Sequence, residues 1–147
     1  RRSIATSTRP FDWIIAAGGW LSLLARPADA PNDWAASMGI GLQTVGLVLT
    51  IIGFAYLGRS FGVVAANRGL KVGGPYRFVR HPIYLSHTLT TTGFVLANFS
   101  PWNVAVLVLL TGCQVLRMRA EERVLTESGP YAEYAARVRW RLVPGLY

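Results

Sequence analysis

Acidic side chains are scarce in this chain: seven Asp and Glu stand against fifteen Lys and Arg, a formal charge of +8. Charge of either sign is thin as well, at 15% of residues against roughly 25% in an ordinary soluble domain. A nucleic-acid binder of this net charge would wear it on a solvated surface. Here long uncharged runs separate the basic residues, so a membrane surface is the better-matched partner and no nucleic acid is expected. The single cysteine, Cys113, sits in an apolar run and excludes a disulfide framework within the chain. The two histidines, His81 and His87, are six apart, a poor spacing for one helix face, and no cysteine cluster accompanies them. A metal site is therefore not expected. No Gly-x-Ser-x-Gly sequence marks a serine nucleophile.

What the chain has in abundance is apolar sequence, 52% of its residues. A membrane helix needs about 20 mainly apolar residues, with a tolerated range of roughly 17 to 25. Four runs approach or meet that length, at 11–25, 34–58, 82–98 and 101–118, and together they leave too little polar surface for a soluble domain. The expected fold is thus all-α, a single membrane domain of four spanning helices. The linkers fix an orientation. "RPADAPND" and "NFSPW" carry one Arg between them, whereas Arg59, Arg68, Lys71, Arg77 and Arg80 crowd the segment 59–81, and six arginines follow position 116. By the positive-inside rule both termini, the central loop and the tail 119–147 are expected in the cytoplasm.

The tail has a pattern of its own. From Met118 to Ser128 it reads as helix four running on into water, with Arg117–Glu121 and Arg123–Glu127 at i,i+4 spacing. Gly129-Pro130 stops it. The piece "YAEYAARVRWRL" then places Tyr131, Tyr134 and Val138 on one helical face, and Val143-Pro144 ends it. The plain reading of the basic residues beside Pro82 is a cap, with Arg77 and Arg80 snorkelling to phosphates and Pro82 in the first helical turn. That reading does not account for Glu121-Glu122, adjacent acids at the edge of a membrane. As solvated ion pairs they are worth only about 0.3–0.5 kcal/mol each.

"GPYRFVRHPIYLS", "RMRAEERVL" and "YAEYAARVRWRLVP", with "GRSF" at 58–61, resemble the C-terminal signature of the isoprenylcysteine carboxyl methyltransferases and their phospholipid-methylating relatives. The resemblance covers about residues 58–147. It implies an integral membrane enzyme using S-adenosylmethionine, bound on the cytoplasmic side between the central motif and the tail. The family's Arg-His-Pro-x-Tyr-x-Gly falls on Arg80, His81, Pro82, Tyr84 and Ser86, with serine in place of the last glycine, and its paired glutamates fall on Glu121 and Glu122. Nothing resembles the Gly-rich loop of a soluble methyltransferase. "GIGLQTVG" at 39–46 lies inside an apolar run, where glycines let helices approach closely.

These residue types suit that cofactor. Glu121 or Glu122 can take its amino group or ribose, and Arg80 or His81 its carboxylate. Tyr84, Tyr131 and Tyr134 offer faces for adenine or for the sulfonium. Glu122 is the expected catalytic residue. His87 is expected to be hydrogen-bonded within the bundle, though polarity at that depth marks a functional candidate. The acceptor is expected to be lipophilic and to enter from the inner leaflet; carboxylate, amine, phenol and thiol stay open. Two rival classes share the pattern: a sterol-reductase-like enzyme whose NADPH 2′-phosphate would meet Arg77, Arg80, Arg139 and Arg141, and a non-catalytic membrane subunit of the same fold. The four-span topology predicts that, in a Cys113→Ala background, cysteine placed at Ala30 reacts with an impermeant maleimide from outside. Cysteine at Asn67 should react only from the cytoplasmic side, and outside labelling of Asn67 would invert the topology.

Overall fold

A computed structural model describes residues 5–6, 9–58, 66–67, 72–126 and 130–146. Arg59, Arg68, Lys71 and Glu127, which entered the charge reading above, lie outside the described residues, as does most of "GRSF". The regular elements of the described chain are helices, apart from a two-residue antiparallel pairing, β1 (Ala5–Thr6) with β2 (Ala66–Asn67), in which Ala5 faces Asn67 and Thr6 faces Ala66. The helices are α1 (Pro10–Ala17), α2 (Asp33–Leu57), α3 (Pro82–Ala97), α4 (Pro101–Thr126) and α5 (Tyr131–Arg137). Of these, α2 and α4 are long and apolar enough to cross a membrane.

The first apolar run is not one regular α-helix. It is α-helical through Ala17 and then tightens into a 3-10 helix over Gly18–Leu24. The change falls at Gly18-Gly19, where the run lies against α4. A Cβ on Gly18 would come within 2.7 Å of Cys113 Sγ, and one on Gly19 within 3.0 Å of an Arg117 nitrogen. The tighter winding also lengthens the run: eight α residues and seven 3-10 residues rise roughly 26 Å together.

Helix α2 starts at an Asn32 cap, whose side chain accepts from Ala35 N at 2.8 Å. Its glycines at 39, 46 and 53 recur every seven residues and form one stripe, against which α3 packs antiparallel. Gly39 meets Gly93 and Ala97, Gly46 meets Ser86 and Thr90, and Gly53 meets Ile83. Backbone carbonyls lie where the Cβ atoms of Gly39 and Gly46 would be, so these two glycines are required by close approach, whereas Gly53 faces only the Ile83 side chain. Ser86, the residue at the family's glycine position, is fully buried in this seam. Its hydroxyl donates to Ile83 O at 2.8 Å and lies 2.9 Å from the Thr50 hydroxyl. The extra oxygen is thus absorbed between two helices, with Gly46 opposite.

At the end of the bundle where α3 passes into α4, Asn103 is a fully buried knot. Its amide donates to Arg26 O (2.8 Å) and Asn98 O (2.6 Å), and its Oδ1 accepts from Arg26 N (3.0 Å). Asn98 Oδ1 takes Ala28 N at 3.1 Å, and Trp102 donates its indole N–H to Leu24 O at 2.8 Å beneath the Arg26 guanidinium. The non-helical residues 25–32 are in this way given partners for backbone groups that no helix satisfies. At the opposite end, Asp12 of α1, nearly fully buried, pairs with Arg123 of α4 at 2.6 Å beside an apolar cluster of Ile15, Ala120 and Val124.

The α2–α3 seam yields a paired test. Gly46→Leu should cost about 1–3 kcal/mol by overpacking and lower the unfolding midpoint in detergent. Gly41→Leu, on the same helix with open space around it, should leave that midpoint unchanged. Equal midpoints for the two variants would remove the seam.

Candidate functional site

Pro82 begins α3 at its first helical position, where its missing N–H costs nothing. The chain just before it is not left for a ligand. Arg80 N donates to Trp140 O and His81 N to Arg141 O, each at 2.9 Å, and one Arg80 terminal nitrogen donates to Arg139 O at 3.1 Å. Residues 139–141 therefore run alongside 80–81 and cannot be helical. The expected helix "YAEYAARVRWRL" ends at Arg137, with Val138 already extended. Below it Tyr131, Tyr134 and Val138 form a buried cluster with Leu125, and Tyr134 donates its hydroxyl to Tyr76 O at 2.8 Å. The shared face read from the sequence is present, held on α4 and the Tyr76 turn.

The centre of the arrangement is Glu122, buried on α4. Its Oε1 lies 3.0 Å from an Arg80 nitrogen and 3.1 Å from His81 Nε2, and its Oε2 accepts from Arg141 Nε at 2.9 Å. A second Arg141 nitrogen stands 2.9 Å from the same oxygen. Two guanidiniums and an imidazole, from the loop before α3 and from the tail, thus converge on one carboxylate, and the guanidiniums hold it ionised. Glu121 faces a different set. Tyr84 donates to its Oε1 at 2.5 Å, its Oε2 lies 3.9 Å from His81 Nδ1, and Arg117 stands over the Tyr84 ring at 5.5 Å. Burial raises the Tyr131 phenol, and the negative Glu122 adds to this against the lowering effect of Arg80. Burial likewise pushes Tyr134 up to about 12. Both remain hydrogen-bond donors at neutral pH.

Of the residues read as a site, Arg80, His81, Tyr84, Glu121, Glu122, Tyr131 and Tyr134 come together, with Pro82 as the rigid start of α3. The solvated-surface reading of Glu122 does not hold, because a 9% exposed carboxylate enclosed by two guanidiniums and an imidazole is interior. Arg141 was missed as a partner of Glu122. Its two-residue offset from Arg139 carries no signal unless the segment is known to be extended. Asp12 was passed over because its partner, Arg123, is 111 residues away. The expectation of a hydrogen-bonded His87 fails at Nε2, which is buried without a partner among the described residues.

The sequence profile of the phospholipid methyltransferases matches residues 34–131, about two thirds of the chain. This chain belongs to the phospholipid methyltransferase family. Membership places it among membrane methyltransferases, in keeping with the two helices able to cross a bilayer. No curated protein matches it. The family match takes in α2, α3 and α4 and hence Arg80, His81, Glu121 and Glu122. It stops at Tyr131, so Arg141, the third partner of Glu122, lies beyond it.

If Glu122 is what ties the tail to α3, Glu122→Gln should destabilise that contact by on the order of 3 kcal/mol, the scale of leaving buried partners unpaired. Trypsin should then cut at Arg139 and Arg141 in the folded variant and not in the wild type. Glu133→Gln, which disturbs only the exposed 3.9 Å pair with Arg137, serves as the silent control.

Proposed function

We propose that this member of the family is an S-adenosylmethionine-dependent methyltransferase that methylates a lipophilic acceptor. In this reading the chain crosses the membrane four times, with both termini and the Glu122 cluster on the cytoplasmic side. The sidedness of the basic residues supports that topology, as does the roughly 26 Å reach of the first run, close to a hydrocarbon core of about 30 Å.

The observation that carries the cofactor assignment is a pair of buried polar atoms without hydrogen-bond partners among the described residues, Arg80 Nε and the Tyr131 hydroxyl. The Tyr131 hydroxyl lies beside both the Arg80 guanidinium and the Glu122 carboxylate, but in line with neither. Buried donors of this kind call for an acceptor. A cofactor carboxylate fits them, and Glu121, a quarter exposed and only partly engaged, fits its amino group. Tyr84 and Tyr131 add aromatic faces for a cation. When bound, the cofactor supplies a methyl group on a sulfonium.

The chain's own residues then have separate tasks. Glu122, filled by Arg80, His81 and Arg141, acts as the positioning residue that fixes the guanidinium of Arg80, in place of the catalytic role expected from the sequence. Glu121, Arg80 and Tyr131 bind. The tail closes over the site, excluding water and holding the reactants in line, which is the main source of rate for a displacement of this kind. An amphiphile in the inner leaflet reaches such a site sideways from the lipid.

Isothermal titration of the detergent-solubilised protein tests the assignment. S-adenosylhomocysteine should bind and NADPH should not; the reverse would establish the reductase reading, and binding of neither a non-catalytic subunit. Arg80→Lys should weaken S-adenosylhomocysteine at least tenfold, because the three donors of an ammonium radiate from one nitrogen and cannot reach Glu122, the Arg139 carbonyl and a ligand as the spread planar fork of arginine does. Wild-type affinity in Arg80→Lys would reduce the motif to a membrane anchor.

A further inference from the structure

Helix α3 has two polar faces. Ser86, Thr90, Gly93 and Ala97 close the seam with α2. Tyr84, His87, Thr88 and Thr91, spaced i, i+3, i+4 and i+7, share another face. There Tyr84 reaches Glu121 of α4, and the Thr88 hydroxyl lies 3.0 Å from Gln114 Oε1 and 2.9 Å from Tyr84 O. Thr91 donates to His87 O at 2.9 Å. The exception is His87, whose Nε2 is buried without a partner among the described residues. Packing alone would be served at that position by leucine or phenylalanine, with no nitrogen to leave unsatisfied.

The placement of His87 is as informative as its vacancy. It lies six residues beyond His81, roughly 9 Å further along the helix axis, and one turn beyond Tyr84. Arg117 of α4 is the cation on this face, standing over the ring of Tyr84, the residue one turn before His87. Glu121, one turn further along α4, is engaged by Tyr84. Going inward from the cytoplasmic cluster, the order is thus Glu122, then Tyr84 with Arg117, then an imidazole nitrogen with nothing to bind.

We propose that His87 is the base that takes the proton of the methyl acceptor, and that the acceptor is a thiol or phenol on an apolar body. The proposal rests on the methyltransferase reading and narrows its substrate. An ammonium would be opposed by Arg117, and methylating an amine keeps positive charge beside it. A carboxylate has no proton to lose at neutral pH and leaves a base at His87 without a task. A thiol or phenol has a proton to lose, and Arg117 stabilises the anion. The balance closes: the acceptor's S–H or O–H proton passes to His87 Nε2, and the freed electron pair forms the bond to the methyl carbon. The methyl–sulfonium bond breaks with its electrons going to sulfur. Neutral acceptor, neutral imidazole and cationic donor become methylated acceptor, imidazolium and neutral thioether.

Because the chain has only two histidines, imidazole nitrogen NMR of the ¹⁵N-histidine-labelled wild type in detergent reads the site directly, with His87→Gln giving the assignment. With S-adenosylhomocysteine present, dodecanethiol or 4-dodecylphenol should shift the His87 Nε2 resonance, and dodecanoic acid or dodecylamine should not. With methyl-labelled S-adenosylmethionine, label should enter the thiol or the phenol. His87→Gln should slow that transfer at least a hundredfold, the scale of a lost general base, while S-adenosylhomocysteine affinity stays within twofold. The inference is overturned if the acid or the amine is methylated fastest, or if His87→Gln keeps a third or more of the rate. It is equally overturned if none of the four probes moves the resonance, which would leave an ordered water as the partner of Nε2. Failure of the wild type to bind S-adenosylhomocysteine would overturn the methyltransferase reading and this one with it. Binding accompanied by any of the other failures overturns this one alone.

Discussion

A carboxylate buried at a membrane edge must be neutralised by the protein, and Glu122 is where this chain meets that requirement. Removing an ion from water costs several kcal/mol unless partners surround it. Glu122 takes three, from residues 80, 81 and 141. Their convergence determines where the tail runs, why it leaves the helix after Arg137, and why Arg80 is held rigidly enough to present a donor. Those backbone and side-chain bonds make a disjoint loop and tail into one surface.

The bundle that supports this cluster is held by two different means. Helices α2 and α3 meet through glycines and small residues, the way helices associate where no hydrophobic drive exists between them. The first run and α4 meet through a buried ion pair, Asp12 with Arg123, and a small apolar cluster. Between them, α3 and α4 touch through polar groups, Tyr84 with Glu121 and Thr88 with Gln114. The glycine seam fixes α3 on one side, and Ser86 belongs to that seam, while the other face of α3 carries the polar contacts to α4.

Much of this was legible in advance. The apolar runs gave the helices, because length and absence of charge are properties of the sequence alone. Tyr131, Tyr134 and Val138 were readable as one face, because helical periodicity is local. The Arg80, His81, Tyr84 and Glu121-Glu122 blocks were readable as neighbours in space through their resemblance to a family. Arg141, Asp12 and Asn103 were not: each has its meaning in a partner far away along the chain, and no local period points to it. The 3-10 winding of Gly18–Leu24 was equally hidden, since it is set by the approach of α4.

By itself, then, the sequence determined that this is a helical membrane protein, with its basic residues gathered in a few blocks and a methyltransferase-like motif among them. Tertiary structure alone decided how the two glutamates differ. Adjacent in the chain and identical in chemistry, they point about 100° apart on a helix of 3.6 residues per turn. One meets two guanidiniums and an imidazole and becomes a fastening, and the other meets a phenol and stays available. The same rotation separates Ser86 from His87, so that one fills a seam between helices and the other is left with an unpaired nitrogen. Sequence order cannot express that difference, because it is made by what stands opposite.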